Sequence, residues 1–241
     1  MKPNPSLSGL ATAANRVIEL YIPEAQRLFD DRFTLKLLPP VWRVALKLIL
    51  LPGPRTAFLK YRERQAPDVL GNLECRTRFI DEALGSALQR GVDQMVILGA
   101  GFDSRAYRIP GIDSTPVFEV ELPGSQLLKQ ARLEKIFGTL PPHVVFVPID
   151  FERQKLAEPM RAAGFHAGVK TFFIWEGVAM YLNPQAVDQT LAFIHKNSAS
   201  GSSVIFDYLY SSALTAIHKR REVIKMQVSG RFTGRVSPLH R

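Results

Sequence analysis

Short apolar runs alternate with longer, helix-like stretches between residues 94 and 210. In the longer stretches, such as AVDQTLAFI, apolar residues recur at positions three and four apart, as on the buried face of a helix. This alternation is typical of a parallel sheet with crossover helices, so we predict an α/β fold with five strands. The five runs are QMVILG at 94–99, PVFEVEL at 116–122, HVVFVPID at 143–150, TFFIWEG at 171–177 and SSVIFDYLY at 202–210.

The N-terminal part of the chain has a helical pattern instead. Apolar residues recur at helical spacing in AANRVIELYI and in CRTRFIDEALGSALQRG, where Phe79, Ala83 and Leu88 are predicted to face inward. We therefore predict a helical N-terminal cap over residues 1–90, followed by an α/β core with a basic C-terminal tail over residues 91–241.

One N-terminal segment, VWRVALKLILLP at 41–52, is strongly apolar. A membrane-spanning helix needs roughly 20 apolar residues. This segment is shorter, and Arg43 and Lys47 interrupt it on one helical face. We expect no membrane insertion and predict an amphipathic helix that covers a core or an active-site mouth, with a membrane-surface role as the alternative.

The net charge of +9 raises the question of an anionic partner, so its distribution matters. From residue 214 onward, seven basic residues accompany a single acid, Glu222, while the rest of the chain is close to balanced. Because Phe232 is the single aromatic residue among these charges and no aromatic pattern is interleaved with them, we expect a solvated basic tail rather than a nucleic-acid-binding surface.

Cys75 is the single cysteine of the chain. One thiol excludes an internal disulfide framework and a cysteine-rich zinc site, so we expect a reducing compartment, the cytoplasm. Histidines and cysteine form no cluster in the sequence, and no metal is expected.

The residues that follow the predicted strands carry the candidate chemistry, since parallel sheets bind ligands at the carboxyl ends of their strands. The first strand ends in Gly99-Ala100-Gly101, where glycine permits a positive φ and a close approach of the backbone to a ligand. Ser104 stands where a dinucleotide fingerprint has its third glycine, which disfavours a nicotinamide enzyme. Asp103 is predicted to cap the helix that follows.

Three acids lie at the ends of later strands. Glu121 lies 20 residues after Gly101, the spacing at which an acid on the second strand holds a ribose diol. Asp150 and Phe151 suit an adenine ring, although Asp150 is equally suited to capping the next helix. Glu176 follows the fourth strand. A ligand with a ribose, an adenine and a positive charge fits these three acids, and S-adenosylmethionine has all three.

Five stretches together resemble one protein family: VILGAGFDSRAYRI, FEVELP, VPIDF, WEGVAMYL and, upstream, CRTRFIDEAL. In this order they are similar to the leucine carboxyl methyltransferase family, including its bacterial S-adenosylmethionine-dependent members. The resemblance runs from about residue 10 to about residue 234. It implies a Rossmann-like class I methyltransferase fold and S-adenosyl-L-methionine as the cofactor.

The resemblance also implies which residues hold the cofactor. Gly99 would lie against its methionine part, Gly101 of the same turn would also bind the cofactor, and Glu121 would hold its ribose. Asp150 and Phe151 would meet the adenine ring. At the methionine end, the remaining two motif residues would bind the charged groups: Glu176 the α-amino group and Arg76 the carboxylate.

No histidine follows a strand at the carboxyl edge of the predicted sheet, so a histidine general base is not expected. A carboxylate is already ionised near neutral pH, and we expect O-methylation of a carboxylate or an easily ionised hydroxyl on a small molecule. Tyr181 is predicted either to face the acceptor or to lie in the core, and no catalytic residue is assigned. The alternative is a cofactor-binding but inactive protein that acts through its basic tail.

The methyltransferase fold that the resemblance implies has the strand order 3-2-1-4-5-7-6, in which the last two strands form an antiparallel hairpin. After SSVIFDYLY this chain continues to VSGRFTGRVSPLHR, and we expect the final strands to be lacking. SSVIFDYLY would then be an exposed edge strand, which predicts a homodimer or poor solubility.

Overall fold

The computed structural model of the chain describes residues 7–65 and 69–208. All five predicted strands are confirmed, and each is shorter than the apolar run that predicted it. The N-terminal helices are α1 Leu7–Ile18, α2 Arg32–Leu37, α3 Pro40–Ile49, α4 Pro52–Gln65 and α5 Val69–Gln89. The elements that follow are β1 Gln94–Leu98, α6 Arg105–Arg108, β2 Val117–Glu121, α7 Pro123–Phe137, β3 Val144–Pro148, α8 Ala157–Ala162, β4 Thr171–Trp175, α9 Pro184–Asn197 and β5 Ser203–Phe206.

The strands form one sheet in the order β3-β2-β1-β4-β5. β1 runs parallel to both β2 and β4, with Met95 opposite Val117 and Phe172, and β4 runs parallel to β5. The crossover between the first two strands contains α6, and α7, α8 and α9 lie in the later crossovers. This order matches the first five strands expected for a Rossmann-like methyltransferase, and the fold prediction is confirmed.

Strands β1 and β4 are buried at every position, which explains why their sequences are almost continuously apolar. A strand of a parallel sheet has a nearly continuous apolar sequence when both faces of the sheet are covered. β5, the last strand of the sheet among the described residues, is only partly buried.

The described residues divide into two compact units. The first contains those of Met1–Gly91, Gly101–Pro116 and Gly124–Val144, and the second those of Val92–Ala100, Val117–Pro123 and Val145–Arg241. We refer to them as the helical unit and the sheet unit. The domain boundary expected near residue 90 stays a prediction.

The core of the sheet unit lies on the strands and on the buried faces of α8 and α9. Phe165 sits at its centre, with its ring 5.7 Å from that of Phe118 and 5.6 Å from that of Phe193. On α9, Ile194 is buried, and Val187 and Leu191 pack against the core, as their helical spacing predicted.

Helix α5 of the helical unit is confirmed, but its buried face is not the predicted one. Phe79 is 63% exposed, whereas Ile80, Leu84 and Ala87 are buried. The helix carries apolar residues on more than one face, so spacing alone could not select the buried stripe.

The expected basic tail and the expected absence of the final strands concern residues 209–241, which lie outside the described residues. Within residues 7–65 and 69–208, none of the helices is both long enough and apolar enough to cross a membrane.

Candidate functional site

The carboxyl edge of the sheet brings together five of the seven predicted cofactor-binding residues. Gly99 follows β1, Glu121 ends β2, Asp150 and Phe151 follow β3, and Glu176 follows β4. Because these strands lie side by side in one sheet, the residues after them line one edge, which we call the rim.

Gly99 opens the rim with a tight turn. Its φ is +73°, and a Cβ at this position would overlap the side chain of Val178. The backbone N–H groups of Gly99 and Ala100 both donate to the carbonyl of Val120, at 2.8 and 3.0 Å. The turn is therefore held against β2, and packing against Val178 requires glycine here whatever the ligand.

Glu121 is half-buried at the end of β2. Its Oε1 accepts a hydrogen bond from the N–H of Leu122 at 2.9 Å, and its backbone carbonyl accepts one from Ile149 at 2.9 Å. A carboxylate can accept about four hydrogen bonds. The backbone of Glu121 is thus fixed, and its carboxylate lies at the rim.

Asp150 begins a turn rather than a helix. Its Oδ1 accepts from the N–H of Glu152 at 3.0 Å, and its backbone carbonyl accepts from Arg153 and Gln154. The side chain of Asp150 is 33% exposed, and its Oδ2 lies 3.5 Å from the Nε of Arg153, a largely exposed side chain. The expectation that Asp150 caps the next helix is wrong, because α8 begins only at Ala157.

Phe151, beside it, is half-buried and packs against the core of the sheet unit. This packing holds the ring in place, and its position after β3 is the one predicted for an adenine contact. The contact itself stays a prediction.

Asp207 is a further acid of the rim that sequence reasoning missed. It follows β5 as Glu176 follows β4, and its Oδ1 accepts from the N–H of Gly177 at 2.6 Å. The rule that identified the other acids, a carboxylate directly after an apolar run, would also have identified this one in VIFD. We call Glu121, Asp150, Glu176 and Asp207 the rim carboxylates.

Tyr181 lies in a single-turn 3-10 helix, Ala179–Tyr181, and is 42% exposed. The core alternative for this tyrosine is therefore wrong, and its role toward an acceptor stays a prediction. Among the histidines, His166 and His195 are exposed, and the Nε2 of His143 lies 2.8 Å from the carbonyl of Ala106. None of the three follows a strand at the rim.

The two remaining predicted residues belong to the helical unit. Arg76 is a half-buried residue of α5, and Gly101 has a φ of +39°. Their implied roles toward a cofactor stay predictions.

The helical unit contains a second group of acids, each paired with arginine. Asp31 is fully buried and accepts from the Nε of Arg16 at 3.1 Å and from the Oγ of Ser104 at 2.8 Å. Asp81 accepts from Arg105 at 2.8 Å and from Arg108 at 2.9 Å. We call this group the ion network; its members are Arg16, Asp31, Asp81, Asp103, Arg105 and Arg108.

Asp103 does not occupy the predicted capping position, because Ser104 directly precedes α6. Its side chain nevertheless accepts from the N–H of Arg105 at 2.8 Å and forms an ion pair with that residue's guanidinium. Burial alone would raise the pKa of Asp103, but Arg105, with Arg16 and Lys129, lowers it to about 2.

Asp31 behaves in the same way. Its burial would raise the pKa, and the charges of Arg16 and Arg108 lower it below the usual value. Asp31 also caps α2 by accepting from the N–H of Thr34 at 2.9 Å. The polar residues of FDSRAYR are thus held mainly by α1, α2 and α5 through buried charge.

Comparison with known proteins gives a consistent result. The family model of leucine carboxyl methyltransferase matches residues 9–195. A Bacillus subtilis protein named "Putative S-adenosyl-L-methionine-dependent methyltransferase YktD" is 35% identical over 142 residues, covering 58% of this chain and 46% of that protein. A Mycolicibacterium smegmatis protein of the same description is 34% identical over 185 residues, covering 76% of this chain and 60% of that one. This chain thus spans about half the length of these relatives.

A more distant likeness is to the solved structure of the mitomycin 7-O-methyltransferase MmcR, with 16% identity and a TM-score of 0.37 over 78% of this chain and 62% of that one. The family match alone covers more than three quarters of the sequence and all the motifs of the rim up to Glu176. The chain belongs to the leucine carboxyl methyltransferase family.

Proposed function

We propose that this protein is an S-adenosylmethionine-dependent methyltransferase that methylates an oxygen of a small molecule. The observation that carries the proposal is the rim, where a tight glycine turn and several carboxylates share the carboxyl edge of one parallel sheet. The relatives of the chain are named for the same cofactor.

The hydrogen-bond acceptors of the rim fit that cofactor. The carboxylate of Glu121 would accept hydrogen bonds from both ribose hydroxyls, and Asp150 would accept from the adenine amino group. Phe151 would offer the ring an apolar surface. Glu176, with its negative charge, would accept from the α-amino group. Each of the three acids would thus accept hydrogen bonds from a donor group of the cofactor.

S-adenosylmethionine, when bound, supplies an electrophilic methyl group on a sulfonium. The work left to the protein is alignment of the acceptor oxygen with that methyl and exclusion of water. The turn at Gly99, fixed by two hydrogen bonds to β2, provides a rigid base for that alignment.

For the acceptor we propose a carboxylate or an easily ionised hydroxyl. A carboxylate needs no general base near neutral pH. This agrees with the absence of a histidine directly after any strand in the part of the chain that the structure describes. The family description, leucine carboxyl methyltransferase, also refers to a carboxylate acceptor.

Titration calorimetry of the full chain with S-adenosylmethionine, and separately with NADH, tests the cofactor. We expect binding of S-adenosylmethionine alone, and binding of NADH alone would overturn the proposal. Transfer of a labelled methyl group to a panel of small carboxylic acids and phenols then tests the reaction. Cofactor binding without turnover on any acceptor would favour the inactive alternative.

A further inference from the structure

Helix α3 exposes a continuous row of large apolar side chains. Val41, Val44, Leu48 and Leu51 are 77, 58, 59 and 51% exposed. They recur at intervals of three, four and three residues, so the first three share one face of the helix, and Leu51, two residues past its end, continues the row. We call these four residues the apolar stripe.

The stripe is not an unfinished part of the core. Another face of the same helix is already buried, at Leu46 and, just past the helix end, Leu50, which are 5 and 1% exposed. An amphipathic helix of a globular protein normally buries its one apolar face. Helix α3 has a second apolar face that no described residue covers.

The surroundings of the stripe are basic. Residues 40–65 contain six lysines and arginines and a single acid, Glu63. Lys47, exposed, lies between two stripe residues in sequence, and α4 packs on α3 and exposes Lys60 and Arg64. Residues 40–65 thus carry a local excess of five positive charges, although the chain before residue 214 is close to balanced as a whole.

Arg43, on α3, contributes to the same positive region. Burial and the neighbouring charge of Arg43 together lower the pKa of Arg132 on α7. The two guanidinium groups thus lie close enough for their positive charges to interact. The positive field therefore extends from α3 onto the helix beside it.

We propose that the apolar stripe docks this protein on the surface of an anionic lipid bilayer. Apolar side chains of such a helix enter the boundary of the acyl chains, while lysine and arginine beside them meet the lipid phosphates. A helix of 10 residues is about 15 Å long, too short to span the hydrocarbon region, so α3 would lie along the surface.

Co-sedimentation of the full chain with phosphatidylcholine vesicles, with and without phosphatidylglycerol, tests this proposal. The test variant carries both Val44→Ser and Leu48→Ser, and the control is Leu127→Ser, which removes a leucine of similar exposure, 62%, from α7. We expect wild type and control to bind the anionic vesicles alike. The double variant should partition at least about tenfold more weakly, because two large apolar side chains no longer enter the lipid.

The double variant keeps every basic residue, so attraction of the C-terminal charges to lipid is the same in all three proteins. If it binds as tightly as wild type, or if wild type does not bind, the proposal is wrong. Circular dichroism checks that the double variant is folded. Val41→Ser, which changes the most exposed stripe position, is a second variant for the same measurement. A wild-type dimer in sedimentation velocity that the double variant abolishes would instead make the stripe a protein interface and would also overturn the proposal.

Discussion

The protein has two groups of acids that differ in which groups hold their carboxylates in place. In the ion network the acids are paired with arginines at close range, and the side chain of Asp31 is 0% exposed. At the rim, Glu121, Asp150 and Asp207 accept hydrogen bonds from backbone N–H groups of the rim itself, and the side chain of Asp150 is 33% exposed. The first arrangement is largely closed to solvent, whereas the second lies partly at the surface, where Asp150 meets the largely exposed side chain of Arg153.

This difference shows that the partner of an acid, rather than its residue type, indicates its role. A buried carboxylate needs an opposite charge, because removing one partner leaves an uncompensated charge in the interior. A carboxylate that backbone N–H groups orient near the surface does not depend on a buried cation: the arginine beside Asp150, Arg153, has a side chain that is 84% exposed. We therefore assign a stabilising role to the ion network and propose ligand binding for the rim.

The largest expected effect is on folding, from a change at the centre of the ion network. Asp31→Ala removes the carboxylate to which Arg16 donates, leaves Arg108 with Asp81 alone of its two acid partners, and removes the cap of α2. We expect the free energy of unfolding to fall by about 3–5 kcal/mol. Urea denaturation measures it, with the exposed Asp113→Ala as control. A loss below about 1 kcal/mol would show that the network does not stabilise the fold.

The next effect concerns the turn of the rim. Gly99→Ala places a Cβ against Val178 at a φ of +73°, and we expect a loss of about 2–3 kcal/mol from strain and overpacking. Gly164→Ala is the matched control in the same unit, since its φ is +87° and nothing lies near a Cβ there. Equal losses in the two variants on thermal unfolding would refute the role of Val178.

Acid titration distinguishes the ion network from ordinary carboxylates. Asp103 has its pKa lowered to about 2 in the folded protein, so its stabilising effect is present above the unfolded value of 3.8 and is lost as the pH falls toward 2. The shift corresponds to roughly 2 kcal/mol. Stability curves of wild type and Asp103→Asn between pH 5 and pH 2 should therefore converge, and parallel curves would contradict the assignment.

The smallest effect comes from Glu74 of α5, whose pKa shifts in the opposite direction and whose half-buried position lets solvent screen the effect of the shift on stability. Burial, and then the charge of Glu19, raises its pKa to about 7. The folded protein keeps this proton longer than the unfolded chain, so stability is lost as the pH rises from 4.5 through 7. Glu74→Gln should flatten the stability curve in that interval, whereas the exposed Glu134→Gln should leave it unchanged. A curve that Glu74→Gln leaves as steep as in wild type would contradict the raised pKa.

The strands and the positions of the rim carboxylates could be predicted from the sequence, because both depend on the local pattern of apolar residues. Five apolar runs give the strands, and the rule that ligands meet the carboxyl ends of parallel strands points to residues such as Glu121 and Asp150. The same reasoning applied to the fifth run would have added Asp207.

The ion network could not be predicted in this way. Ser104 and Asp31 are 73 residues apart, and no periodicity relates them. The exposed Phe79 has a similar cause, since the choice between two apolar faces of α5 depends on which neighbouring helices cover them. Long-range packing decides both features.

Calorimetric titration of S-adenosylmethionine into wild type, Glu121→Gln and the control Asp188→Asn, with the melting temperature measured for each, tests the division between the two acid groups most directly. Glu121→Gln should weaken binding about ten- to one-hundredfold, as expected for loss of charge-assisted hydrogen bonds, at an unchanged melting temperature. Asp188, exposed on α9, should affect neither. Wild-type affinity in Glu121→Gln, or a weaker affinity that appears only together with a lower melting temperature, would contradict the assignment of the rim as the cofactor site.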